Sequence, residues 1–291
     1  MQISKPLNDW ITSGETRSLC GYRIFVRSAA HEGRPPLLLI HGYPTASYDW
    51  YRLWPRLAER YSLYACDLLG FGMSEKPSGH AYPIGEQADI CEALLRDFDV
   101  ESAHVIAHDY GDSVAQELLA REREGRLRID SMVFLNGGLF PEAHRPRRIQ
   151  QLLAQPMLGA LLARAMSYRK FEANMRAISG RNPPTQRELQ DLWMLVNHDN
   201  GRVALAALIN YMEQRRLNRE RWVGALVESR VPRKLICGAL DPVSGAHLAE
   251  RYRELVPEAD VSLLEDVGHY PQLEQQERVC EEYLAFRGRL G

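Results

Sequence analysis

Three side chains, Asp109, Asp241 and His269, follow one another along the chain in an order that could carry out hydrolysis through a covalent intermediate. The stretch 102–112, SAHVIAHDYGD, reads as a short strand, an abrupt turn and the approach to a helix over 113–123. In that setting the residue at the tip is pushed out beyond the strand end, and small neighbours, here Ala107 and Gly111, let the backbones pass closely. A carboxylate at the tip is already anionic at neutral pH. Asp109 could therefore attack a saturated carbon without first losing a proton, leaving an ester on the protein. His269, in the loop DVGHYP at 266–271, would then deprotonate a water that attacks the ester carbonyl, and Asp241, in GALDP at 238–242, would orient its ring. His41-Gly42-Tyr43-Pro44 follows an apolar run and would set the backbone N–H of Tyr43 opposite that of Tyr110 as an oxyanion hole.

Each of these residues has a plainer alternative. Asp109 could cap the helix that begins there, and Asp241 before Pro242 could simply form a turn. His104 and His108 read as packed histidines of the strand, and Asp112 as a capping or surface residue. The turn DLLGFGMS at 67–74 lacks the third glycine and the helix start of a dinucleotide fingerprint.

The elements that would position these groups alternate. Apolar runs at 22–26, 36–40, 62–67 and 131–135, with the short strand that begins the stretch 102–112, read as strands, with helical periodicity at 50–61, 86–98 and 113–123 between them, the rhythm of a mostly parallel sheet covered on both faces. From 137 to about 231 the strand signal stops, and 157–166, 186–196 and 203–216 carry apolar helical stripes. Strands resume at 233–237 and 260–264, each followed by a helix, 246–255 and 274–287. The chain thus divides into a first core segment spanning 1–137, an all-helical insertion at 138–231 placed to cover the site, and a second core segment spanning 232–291.

With 291 residues, 45% of them hydrophobic and 25% charged, the chain can bury a sizeable core, which sets aside disordered and fibrous classes. A net charge of −2 gives no overall electrostatic reason to expect nucleic acid or anionic lipid as a partner. The five cysteines are scattered and odd in number, so free thiols in the cytoplasm are expected. Residues 1–14 are polar and broken by Pro6, and no apolar run approaches the ~20 residues of a membrane span, so neither secretion nor membrane insertion is expected.

Taken together, the aspartate turn, the HGYP turn and the late Asp and His resemble the epoxide hydrolase and haloalkane dehalogenase branch of the α/β-hydrolases. Long stretches, HGYPTASYDWYRLW at 41–54, AHDYGDSVAQELL at 107–119, NGGLFPEAHRP at 136–146, RWVGAL at 221–226 and HYPQLE at 269–274, are similar to the mesoderm-specific transcript proteins and their bacterial relatives. The resemblance implies an α/β-hydrolase with a helical lid and an aspartate nucleophile. Epoxide hydrolases of this branch use lid tyrosines to protonate the ring oxygen. Tyr211 stands near that position, one residue before the place the pattern favours, and Tyr168 is the other candidate. Dehalogenases place a tryptophan after the nucleophile where this chain has Tyr110, so an epoxide is the favoured electrophile. A dehalogenase-like hydrolase and a catalytically silent relative acting as a binding module are the alternatives. An esterase is disfavoured because carboxylate attack on an acyl carbon gives an anhydride. Neither metal nor organic cofactor is called for, and the oligomeric state is left open.

Overall fold

The computed structural model describes residues 3–155 and 158–290. Eight strands form one sheet: β1 (Glu15–Leu19), β2 (Tyr22–Ala29), β3 (Pro36–Ile40), β4 (Ser62–Cys66), β5 (Ser102–His108), β6 (Arg128–Leu135), β7 (Arg233–Gly238) and β8 (Asp260–Leu264). Their order is β1-β2-β4-β3-β5-β6-β7-β8. The β1–β2 and β2–β4 pairs are antiparallel and the rest parallel. The central strands read as unbroken apolar runs because helices cover both their faces: β4 is buried at every residue, and β3 and β5 at all but the first.

Chain direction along the sheet reverses at β3, whose neighbours are β4 on one side and β5 on the other. In open α/β sheets ligands bind beyond the carboxyl ends of the strands at such a reversal. The loops after β3, β5, β7 and β8 carry Tyr43, Asp109, Asp241 and His269 respectively, so four segments distant in sequence meet above one edge.

Between β6 and β7 the described residues form helices and no strand, from Arg148–Leu153 to Arg219–Glu228. The apolar stripe over 203–216 is not one helix. It divides into Gly201–Leu208 and Tyr211–Leu217, with Asn210 at the start of the second. The final stripe also divides, into Pro271–Glu274 and Gln276–Gly288, because Gln275 leaves the helical region at φ −145°, ψ 56°. Near the amino end, Pro6 does not break structure. Lys5–Thr12 is a helix capped by the Ser4 hydroxyl, with the proline in its first turn, where no N–H is needed. Strand β1 escapes sequence reading because it is a mostly exposed edge strand without an apolar alternation.

Candidate active site

Strand β5 enters the elbow and the helix Tyr110–Arg123 leaves it, with Asp109 between them at φ 47°, ψ −102°. For a residue with a Cβ this backbone costs on the order of 1–3 kcal/mol and has to be held by its surroundings. Glycine is required beside it. A Cβ on Gly111 would lie 2.5 Å from the Ile40 carbonyl oxygen, and one on Gly42 would lie 2.9 Å from the Asp109 Cβ. The side chain of Asp109 accepts no N–H from its own helix, so it is not a cap. Its Oδ2 instead accepts the backbone N–H of Tyr43 at 3.1 Å. Tyr110 opens the helix, so its N–H is among the first-turn donors that lack an intrahelical acceptor.

Asp241 and His269 meet on the other side of the nucleophile. His269 donates from Nδ1 to Asp241 Oδ2 at 2.7 Å, which leaves Nε2 as the nitrogen available to a water. Asp241 is pinned from all sides: Oδ1 accepts the N–H of Val243, and Oδ2 accepts from Asn136 Nδ2 and from the N–H and hydroxyl of Ser244. Burial alone would raise the Asp241 carboxyl, but the charge and hydrogen bonds facing it win and hold it at about 2. Burial would likewise lower His269, yet Asp241 and then Asp109 push the imidazole up to about 9. His108 is driven down to about 3 by burial and by the His269 charge, so it is neutral. It donates from Nε2 to the His269 carbonyl at 2.7 Å, bracing that loop.

Asp109 and His269 line one cavity of about 80 Å³ with Tyr43, Pro44 and Val243 from the sheet. Its roof comes from the helical segment: Ile149, Leu153, Met166, Met175 and Ile178 are apolar, and Arg147, Gln150 and Asn174 are polar. A larger cleft of about 630 Å³ between Lys76–Tyr82 and the helix Gly201–Leu208 contains none of Asp109, Asp241 and His269. The candidate catalytic side chains Asp109 and His269 line the small cavity. Among the described residues no three His, Cys, Asp or Glu side chains gather as metal ligands, and no helix is long and apolar enough to cross a membrane.

The family model for the alpha/beta hydrolase family matches residues 37–282, which span every element that supplies this site. The chain belongs to the α/β-hydrolase family. This hydrolase is 41% identical to the mesoderm-specific transcript protein of Mus musculus over 98% of its own length and 89% of the relative. It is 35% identical to the putative hydrolase LipZ of Mycobacterium tuberculosis over 97% and 98%. The solved haloalkane dehalogenase DbeA of Bradyrhizobium elkani superposes with a TM-score of 0.80 over 96% of this chain and 98% of that one, at 23% identity, a likeness of fold.

Two residues that the sequence put forward as proton donors are not part of the hydrolase cavity. Tyr211 packs its ring 6.0 Å from that of Tyr43 and 5.1 Å from that of Tyr110, with its buried hydroxyl unpartnered among the described residues. The helix restarts at Tyr211 after Ile209–Asn210, and the ring is held in an aromatic cluster with Tyr43 and Tyr110 beside the cavity. Tyr168 opens the helix Tyr168–Ile178 at the edge of Trp193, and its hydroxyl reaches the Gln186 carbonyl at 3.5 Å. Asp112 is not a surface residue either. It is fully buried, and burial pushes its carboxyl well above the usual range.

Sequence reasoning missed three supports of the site. Arg215, almost wholly buried, donates from Nη2 to the Asp109 carbonyl at 2.8 Å and from Nε to the Ser113 hydroxyl at 2.5 Å, stacked over the Tyr211 ring. Asn136, at φ 38° just past β6, bridges Gly238, Asp241 and Ser244 with its amide. Glu274 accepts the N–H groups of Gly180, Gly268 and Tyr270, tying the helical segment to the loop of His269. The run Asn136-Gly137-Gly138 after a strand was the signal for the second. An arginine inside an amphipathic helix gives no such sign.

Proposed function

We propose that this hydrolase opens a small electrophile, an epoxide above all, by covalent aspartate catalysis, with the helical segment acting as the lid. In the first step the Asp109 carboxylate attacks an epoxide carbon, the carbon–oxygen bond breaks, and the oxygen gains a proton, leaving a hydroxyalkyl ester on Asp109. That proton is the one His269 carries before the reaction, and hydrogen-bond donors that steady the departing oxygen come from the roof. Arg147 Nη1 is buried with no hydrogen-bond partner among the described residues, and Arg147, Gln150 and Asn174 face the cavity that holds Asp109.

Esterification removes the charge of Asp109, one of the groups that keep His269 protonated. The imidazole then gives up its proton more readily, at the stage where a base is needed. Neutral His269 takes a proton from water through Nε2, the hydroxide attacks Cγ of Asp109, and the N–H groups of Tyr43 and Tyr110 hold the oxyanion, at roughly 3–4 kcal/mol for each donor. Collapse releases a diol and restores the carboxylate.

The observation that carries this reading is the Asp109 carboxylate resting on the Tyr43 N–H in the same cavity as a histidine whose other nitrogen is bound to a buried aspartate. The test replaces His269 with Gln and incubates the variant with epoxides and haloalkanes. Intact-mass analysis should show an adduct equal to the whole epoxide on the peptide containing Asp109. An adduct formed only with release of halide would favour the dehalogenase reading, and a variant that no electrophile labels would end the covalent one.

A further inference from the structure

The hydrolase carries a surface whose composition departs from the rest of the chain. Between Glu142 and Glu172 there are six cationic side chains and not one aspartate or glutamate, in a protein whose net charge is −2. Five of the six, Arg145, Arg148, Arg164, Arg169 and Lys170, are exposed, and none of them forms an ion pair among the described residues. The acids that bound the stretch are already engaged: Glu142 with Arg219 at 2.7 Å and Arg251 at 3.1 Å, and Glu172 with Arg176 at 3.0 Å. Of the acids brought in from other elements, Asp199 lines the cleft with Ala154 and Ala160 and acts on Lys76, and Glu213, which borders Pro146 and Ala154, is paired with Arg216 at 2.5 Å.

Exposed apolar side chains gather at the same place. The helices Arg148–Leu153 and Leu158–Arg164 pack on each other, and the second packs on Gly201–Leu208. Leu152, Leu158, Leu161 and Val203, four of the large hydrophobic residues left exposed, belong to these three helices, and Leu161 is 64% exposed. Leu158 and Leu161 are three apart and so share a helix face. Leu152 points out while its neighbour Leu153 lines the Asp109 cavity, so this face is the outside of the roof.

Apolar side chains ringed by unpaired cations, on short helices lying over a site, match the chemistry of an anionic lipid surface: the leucines enter the acyl boundary and the arginines meet headgroup phosphates. We propose that the outer face of the helices Arg148–Leu153, Leu158–Arg164 and Gly201–Leu208 docks this hydrolase on anionic phospholipid bilayers. A second copy of the chain would bring the same excess of positive charge to the contact and is disfavoured by repulsion.

The test is co-sedimentation of the full chain with vesicles of phosphatidylcholine alone and of phosphatidylcholine mixed with phosphatidylglycerol. Binding is expected to the mixed vesicles and to fade as salt rises. Arg148→Gln and Arg164→Gln should each weaken it by about fivefold, and Leu161→Ser should weaken it while leaving thermal melting and labelling by a water-soluble epoxide unchanged. Failure of epoxide labelling leaves the vesicle result standing, so the two readings fail separately. The proposal is overturned if neither vesicle is bound, if the variants bind as the wild type does, or if the patch instead drives a concentration-dependent dimer that Leu161→Ser abolishes.

Discussion

Replacing Asp241 with Asn removes one charge and leaves the shape, and the structure fixes what should follow. The rise of His269 from 6.5 to about 9 and the fall of Asp241 from 3.8 to about 2 each correspond to about 2–3 kcal/mol. Both shifts express one interaction, which is counted once; Asp109 and Glu274 also act on the ring. In the Asp241→Asn variant, burial of His269 is opposed chiefly by Asp109, and the imidazole should titrate well below 9. The amide can also present its N–H to Nδ1 and impose the wrong tautomer, so ester hydrolysis should slow by roughly 10³–10⁴. His269 has a raised value in the folded protein, so its contribution to stability is complete below about 6.5 and fades as pH climbs through about 9. That of Asp241, with a lowered value, is complete above 3.8 and fades as pH falls through about 2. The variant should therefore be less stable by about 2–3 kcal/mol between pH 4 and 6.5, with the gap closing above pH 9. Imidazole NMR titration, single-turnover kinetics and denaturant melts across pH are the measurements. An unmoved His269 titration would refute the reasoning.

Two further outcomes follow from the neighbours of the elbow. Arg215→Met should cost about 3–5 kcal/mol in denaturant unfolding, because it leaves the buried Asp109 carboxylate without the cation 3.9 Å away and strips the Asp109 carbonyl and the Ser113 hydroxyl of their donor; Arg215→Lys should recover some of the loss. Tyr211→Phe removes a hydroxyl that has no partner among the described residues and does not line the cavity, so alkylation of Asp109 should change by no more than about threefold; a hundredfold fall would make Tyr211 the proton donor after all.

The central strands were legible because they are buried on both faces and their apolar runs are hard to read otherwise, as at 36–40; the helix 246–255 and the half-buried edge strand 260–264 also match the structure residue for residue. The position of each site loop followed from strand ends, since a residue just past a parallel strand has few places to go. What stayed hidden was side-chain direction in the helical segment. The interruption at Ile209–Asn210 was not foreseen, and Tyr211 packs against Tyr43 and Tyr110 without lining the cavity. Hidden too were the groups that act through others. Arg215, Asn136 and Glu274 carry no motif of their own, and their partners lie 106, 105 and 94 residues away.

The Glu274 carboxylate has one consequence for how such a molecule would breathe. One of its oxygens holds the N–H of Gly180 and that of Gly268 together, and the His269 N–H donates to the Ile178 carbonyl at 2.8 Å. The roof and the general base are thus fastened at a common rivet. If the proposed lid lifts at Ile178–Gly180 to admit a substrate, these bonds would carry the displacement to the loop of His269, so that entry and the seating of the ring would be coupled.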